Sequence, residues 1–340
     1  MARTATRECS LPSLPLALCR GSPSPWLLNG FGSSPDGFVV GLKVTPTHSG
    51  FGALISGAAL CKPLSASLLG EIRHAWLKHQ VVSFADQPLS PEELEQFTLQ
   101  LGEFGVDPYV KPLIDHQHIL EVRREPHEAV PPFGSGWHSD WSFQREPPAA
   151  TILHAKVVPS IGGDTLFADG YAALATLDPV LRDLIQTLTA IHSARRPYSH
   201  QGYRASGGDQ RTMQIRPSDS ALATQEHPVV RTHPETGRQA LWINPSYTIA
   251  IKGLCESDSS ALLGRLFDHC HQARFVYRLR WTANMLTLWD NRCVTHRAEG
   301  GYDGQRRLMH RITIAGDPPE YIDDHVDLTI RRKDGGPTRS

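Results

Sequence analysis

The sequence predicts a mainly β domain with flanking helices, a sandwich or jelly roll, and three observations point there. Short apolar and β-branched runs recur at 81–84, 149–158, 275–281, 285–289 and 307–315, the lengths of strands. Four amphipathic helical stretches read as packing elements outside those strands. The residues able to do chemistry fall on strands or strand ends, as in a jelly roll that carries a site.

Composition narrows the partners. The 340 residues are 40% hydrophobic and 20% charged, which suits a globular protein with a large core. A net charge of −1 supplies no long-range basic field, so nucleic acid is not expected as the partner. The sequence contains no run of 18 apolar residues, so no membrane span is expected. The six cysteines, Cys9, Cys19, Cys61, Cys255, Cys270 and Cys293, form no Cys-x-x-Cys. Their scatter fits a reducing compartment, and a cytoplasmic location is the expectation. Cys293 reads as a small buried hydrophobe.

Although the length allows two domains, all-β units often exceed 200 residues, and a single domain over 41–328 is expected here. Residues 1–40 carry serines and prolines with no apolar period and read as a disordered arm or a misassigned start. Residues 329–340, basic and bearing Gly and Pro, read as a flexible tail.

Taking the domain in order, 64–80 places Leu68, Leu69, Ile72, Trp76 and His79 on one helical stripe, with Ser65 or Ser67 as cap. Residues 81–84 then form a short buried strand. Ser90-Pro91-Glu92-Glu93 is a capping box with proline at the first helical position, followed by Leu94 and Phe97. The stretch 105–132 reads as an irregular, proline-spaced loop of the kind that borders sites. After the strand at 149–158, Asp178-Pro179 caps a helix whose expected face is Leu181, Leu184, Ile185 and Leu188. His233-Pro234-Glu235-Thr236-Gly237 reads as a surface hairpin tip, so its His-x-Glu is not expected to bind metal. A last helix spans about 259–270.

The candidate site starts from Trp137-His138-Ser139-Asp140. In extended backbone alternate side chains share a face, so one imidazole and one carboxylate can meet at one cation. A second His-x-Asp, His325-Val326-Asp327, carries no weight, because no histidine follows it. Two His and one carboxylate with open positions suit non-haem Fe(II), and His296 in Trp289-Asp290-Asn291-Arg292-Cys293-Val294-Thr295-His296 is the candidate for the third ligand. Arg307 and Arg311, four apart on a strand, project to one face and could hold a carboxylate cosubstrate. His154 reads as core or outer support, since the triad is complete without it.

With Pro147-Pro148-Ala149, Gly162-Gly163-Asp164-Thr165 and Gln305-Arg306-Arg307-Leu308-Met309-His310-Arg311 in the same order, the chain resembles the Fe(II)/2-oxoglutarate-dependent dioxygenases of the taurine dioxygenase (TauD/TfdA) type over about 42–319. The resemblance implies a double-stranded β-helix, a cupin-like jelly roll. It implies Fe(II) on His138, Asp140 and His296. Thr165 and Arg307 would hold the far carboxylate of 2-oxoglutarate, and Arg311 would lie near its keto-acid end and the substrate's anionic group. Tyr247 would line the substrate pocket. The reaction implied uses O2 to hydroxylate a small anionic organic substrate, an alkylsulfonate, sulfate ester or aryloxyalkanoate, with release of succinate and CO2. The polar residues that contact taurine in taurine-specific members are replaced by Asp107, Val110 and Gly134, which argues against taurine itself. The alternatives are a catalytically silent metal- or anion-binding jelly roll and a nucleobase dealkylase on the same scaffold. Assembly into a homo-oligomer stays open.

Overall fold

The computed structural model describes residues 41–319. The expected arm and tail, and the pair His325 and Asp327, lie outside them. The chain enters through an antiparallel pair, β1 (Lys43–Pro46) and β2 (Ala53–Ser56). In α1 (Ala66–His79) Ser65 is the cap, its hydroxyl accepting from the Leu68 N–H at 3.2 Å, and Ile72, Trp76 and His79 are buried as the stripe requires. β3 (Val81–Phe84) is buried at every position. α2 (Pro91–Leu99) carries the expected capping box: Glu93 N–H donates to Ser90 Oγ at 3.2 Å and Ser90 N–H donates to Glu93 Oε2 at 2.8 Å.

Two expectations are corrected in the next stretch. Within 105–132 lies β4 (Leu120–Arg124), an edge strand whose Glu121, Arg123 and Arg124 hide its alternation. After β5 (Ala150–Val157) and β6 (Thr165–Asp169) come α3 (Gly170–Ala175) and α4 (Pro179–Ile185), the latter capped by Asp178 as expected. Leu184, expected inside, is 57% exposed. Helix α4 stops at Ile185, so Leu181 and Ile185 form its buried face while Val180 and Leu184, also four apart, form its outer one.

β7 (Thr189–Ser193) leads into two short helices, α5 (Arg195–Tyr198) and α6 (His200–Ala205), that sequence alone left unassigned. There follow β8 (Thr224–Pro228), β9 (Val230–Thr232), β10 (Gln239–Leu241) and β11 (Thr248–Ile251). α7 (Glu256–Cys270) starts earlier than expected, with acidic Glu256 and Asp258 in its first turn complementing the helix dipole. β12 (Val276–Leu279), β13 (Leu286–Asp290), β14 (Val294–Ala298) and β15 (Arg307–Ile314) complete the domain.

A seven-stranded sheet runs β1-β2-β3-β13-β5-β15-β4 and faces a three-stranded sheet, β12-β6-β14. The strands of both alternate. On β15, Met309 joins Leu153, Phe167, Trp289 and Val294 between the sheets, while Ile312 and Ile314 join Ile72, Trp76, Leu94 and Phe97 under α1 and α2. Helices therefore cover the outer face of the large sheet, and its inner face is free to carry a site. A third sheet, β11-β7-β8, the pair β10-β9 and the helices α3, α4 and α7 share a separate apolar cluster. This is the expected jelly roll.

Candidate active site

His138 and His296 meet across an isolated antiparallel bridge: His138 N–H donates to His296 O at 3.0 Å and His296 N–H donates to His138 O at 2.7 Å. His296 rides on β14, and the bridge copies its strand geometry onto His138. Two residues past the bridge the chain enters a turn at Asp140, and the Asp140 carboxylate comes to the same side as the two imidazoles. His138 Nε2 lies 3.6 Å from Asp140 Oδ1, and His296 Nε2 lies 3.8 Å from Asp140 Oδ2. All three residues are buried, and their donor atoms lie within 4.8 Å of one another.

The donor set fits a divalent iron. His138 Nδ1 lies 2.8 Å from Gly136 O, a partner that can only accept, so Nδ1 carries the proton and Nε2 offers its lone pair to the cluster. Burial holds both imidazoles below their ordinary pKa, so they stay neutral. Burial would raise the Asp140 carboxyl, but the Arg311 charge foremost, with the hydrogen bond from Thr151, keeps it at about 2 and ionised. Gly134 faces this imidazole: at φ +75° a side chain is strained there, and a Cβ would stand 3.2 Å from His138 Cε1.

Asp140 is aimed by a network that the sequence did not disclose. Thr151 on β5 donates to Asp140 Oδ2 at 2.6 Å and accepts from Asn291 Nδ2 at 2.9 Å, while Asn291 Oδ1 accepts from Trp289 Nε1 at 3.0 Å. The Trp289-Asp290-Asn291-Arg292 stretch thus supports the cluster from behind. Its Asp290 and Arg292 form a second buried unit. Arg292 donates through Nε and Nη2 to the two Asp290 oxygens at 2.8 and 2.7 Å, and His233 Nε2 lies 3.0 Å from Asp290 Oδ2. His233, expected at a surface tip, is therefore 1% exposed, and Glu235 is engaged with Arg292 at 2.6 Å. The His-x-Glu pair is a clamp rather than a ligand set.

Arg307 and Arg311 line one cleft with the triad and Thr165, as their spacing on β15 requires. Their charges are handled differently. Arg311 lies 2.9 Å from Asp140 Oδ1, an ion pair by distance with an angle outside hydrogen-bond geometry, and donates to Asp107 Oδ2 at 3.3 Å. Asp107 also accepts from the Tyr109 and Val110 N–H groups, and its burial pushes its carboxyl up to about 6 despite Arg311. Arg307 is only 4% exposed, and among the described residues its guanidinium has neither an ion pair nor a hydrogen bond. Burying an unpaired cation costs several kcal/mol, so this group is matched to an anion. Thr165 Oγ1 accepts from Trp281 Nε1 at 2.9 Å, which leaves its own proton free to donate.

Beside the cleft, sharing Phe133, Gly134 and His138 with it, opens a larger cavity of about 380 Å³. Tyr247 lines it, 4% exposed and edge-on to the His138 ring at 6.2 Å. Much of its wall comes from the connection between β7 and β8, including Arg196, Tyr198 and Arg211, none of which sequence reasoning singled out. The available signal was Arg195-Arg196-Pro197-Tyr198, charge and aromatic residues in a long inter-strand connection. His154 is core as expected, fully buried with Nε2 2.7 Å from Gln87 O. Cys293 is buried too, which pushes its thiol well above the ordinary range.

A jelly roll whose inner face gathers two His and one carboxylate, with room for further donors, has the site of a non-haem Fe(II) oxygenase. The model of the taurine catabolism dioxygenase TauD, TfdA family matches residues 43–313. The chain belongs to that family of Fe(II)- and 2-oxoglutarate-dependent dioxygenases. It is similar to the alpha-ketoglutarate-dependent sulfate ester dioxygenase of Pseudomonas putida, 32% identical over 86% of this chain and 95% of that protein. The (S)-phenoxypropionate/alpha-ketoglutarate-dioxygenase of Sphingobium herbicidovorans is also 32% identical, over 81% of this chain and 95% of that one. The crystal structure of a putative alpha-ketoglutarate-dependent taurine dioxygenase from Burkholderia xenovorans superposes with a TM-score of 0.69 at 31% identity, covering 82% of this chain and 91% of that chain.

Proposed function

We propose that this dioxygenase hydroxylates a small organic anion of the sulfate ester, alkylsulfonate or aryloxyalkanoate class. In this reading His138, Asp140 and His296 hold Fe(II), and Thr165 with Arg307 holds the far carboxylate of 2-oxoglutarate. The observation that carries it is the buried, unpaired Arg307 in one cleft with the His-Asp-His cluster. Iron, when bound, couples O2 and the decarboxylation of 2-oxoglutarate to oxidation of a substrate C–H, with release of succinate and CO2.

The chain's own residues supply orientation. Gly136 fixes the His138 tautomer, Thr151 fixes Asp140, and Thr165 can donate its hydroxyl proton to the carboxylate that Arg307 faces. Phe133 and Tyr247 offer apolar surface that presents a C–H beside His138 and keeps water away. Asp107, Val110 and Gly134 replace the polar groups that would grip taurine, so larger or more apolar anions are preferred. The test is succinate release across alkyl sulfates, alkylsulfonates and aryloxyalkanoates with Fe(II) and 2-oxoglutarate. A wild-type protein that forms no iron-dependent succinate with any of them would sink the reading.

A further inference from the structure

Resting on that reading, we propose that Arg196 and Arg211, at the mouth of the 380 Å³ cavity, read the anionic group of the primary substrate, and that Asp107 withdraws Arg311 from this task. The substrate class that follows is an amphiphilic organic anion: an apolar or aromatic body against Phe133, Tyr198, Ile215 and Tyr247, with a sulfate, sulfonate or carboxylate turned toward the two guanidiniums.

Charge distribution carries the first half. The lining of the cavity contains two arginines and no aspartate or glutamate. Both arginines are anchored through Nη1 to neutral backbone oxygens, Arg196 to Pro245 and Thr248, Arg211 to Pro131 at 2.7 Å. Neither forms an ion pair among the described residues. Glu128 acts on Arg211 from beyond ion-pair distance, while its Oε1 accepts from Thr212 Oγ1 and the Glu125 N–H. Arg195 adjoins Arg196 and repels it. Two guanidiniums without an ion pair among the described residues, lining one cavity with Phe133, Ile215 and Tyr247 and with no carboxylate in that lining, are a receptor for an anion. Arg196 is exposed and Arg211 half-exposed, whereas His138 is buried, so charge sits at the mouth and the metal ligand at the floor of one cavity.

The second half follows from the state of Arg311. It is 4% exposed and already faces two carboxylates, Asp140 at 2.9 Å and Asp107 at 3.3 Å. An incoming anion would gain little from a guanidinium so engaged and would meet the Asp107 charge beside it. Compact anions that depend on Arg311 alone are therefore disfavoured, and anions able to reach the mouth are preferred.

The experiment measures equilibrium binding without turnover, by anaerobic calorimetry on the Fe(II)- and 2-oxoglutarate-loaded enzyme, with hexyl sulfate and 1-hexanol as probes. Wild type is expected to prefer the sulfate. The double variant Arg196→Gln/Arg211→Gln keeps an amide at each position but removes both charges. It should weaken hexyl sulfate about 30-fold or more, as for loss of a charge-assisted pair, while changing hexanol less than about threefold. Asp107→Asn, which keeps the acceptor for Tyr109 and Val110, should improve binding of methanesulfonate about 10-fold by freeing Arg311. Retained sulfate preference in the double variant, or no preference in wild type, would overturn the first half; no gain in Asp107→Asn would overturn the second. Iron-dependent succinate formation from 2-oxoglutarate, measured on wild type in parallel, fails only if the dioxygenase reading itself fails.

Discussion

The backbones of His138 and His296 hold one another by two hydrogen bonds, 3.0 and 2.7 Å long, although the residues lie far apart in the chain. Their side chains inherit that registry, and with Asp140 they bring their donor atoms within 4.8 Å of one another.

In the proposed reading, His296→Ala removes one of three protein ligands to the iron. Iron affinity should fall at least about 100-fold, beyond the usual effect of losing an outer supporting group, and succinate formation should become undetectable. The bridge uses only backbone, so the circular dichroism and melting temperature should stay near wild type. Wild-type succinate formation by this variant would contradict the ligand assignment.

Arg307→Met separates function from stability. Losing a charge-assisted partner of a desolvated carboxylate costs roughly 2–5 kcal/mol, so the apparent constant for 2-oxoglutarate should rise about 30-fold or more. A buried, unpaired cation is a burden on the cosubstrate-free fold, and a methionine of similar length relieves it. Urea denaturation without 2-oxoglutarate should therefore find the variant at least as stable as wild type, by about 1 kcal/mol or more. Clear destabilisation would mean that the Trp281 ring, 6.0 Å from the guanidinium, compensates the charge inside the protein.

Thr151→Val keeps shape and removes the hydroxyl that connects Asn291 to Asp140. Iron affinity or kcat should drop about 10- to 100-fold, the usual effect of losing a group that orients a ligand. Thr151→Ser should recover most of it. Equal losses in both variants would assign Thr151 to packing instead.

Stability should fall on mild acidification. Burial holds His227 at about 4, below the unfolded value near 6.5, with Arg231 adding to the effect and the Gln144 carbonyl opposing it. The unfolded chain therefore takes up the proton first. The contribution is complete above about pH 6.5 and is lost as pH falls toward 4, at up to about 1.4 kcal/mol per pH unit. His227→Gln should flatten the denaturation free energy between pH 5 and 6.5 by about one proton's worth of slope. An unchanged slope would mean that His227 is not kept neutral by burial.

The legible parts of this chain were those governed by local rules. The Ser90–Glu93 capping box, the Asp178 cap, the alternation of β15 and the His-x-Asp geometry all depend on residues a few positions apart. The exposure of Leu184 is not legible, because an apolar side chain does not reveal where its helix stops. β4 was missed because an edge strand carries charge in place of alternation. Turn chemistry around His233 is local and points to the surface, whereas its burial comes with Asp290, which no short-range pattern connects to it. The roles of Asp107, Arg196 and Arg211 depend on which carboxylates stand near which arginines, and that is set only by tertiary packing.

His138, His296 and Arg307 lie on paired strands or a strand-like bridge, whereas Arg196, Tyr198 and Arg211 lie in the connection between β7 and β8. Change in one is insulated from the other. A substitution at the exposed Arg196 or the half-exposed Arg211 leaves the ladder hydrogen bonds undisturbed, so its cost in folding is small. A substitution on β14 or β15 affects register, core and cofactor together. The architecture therefore lets a lineage explore new substrates through one loop while its oxidative chemistry is inherited intact.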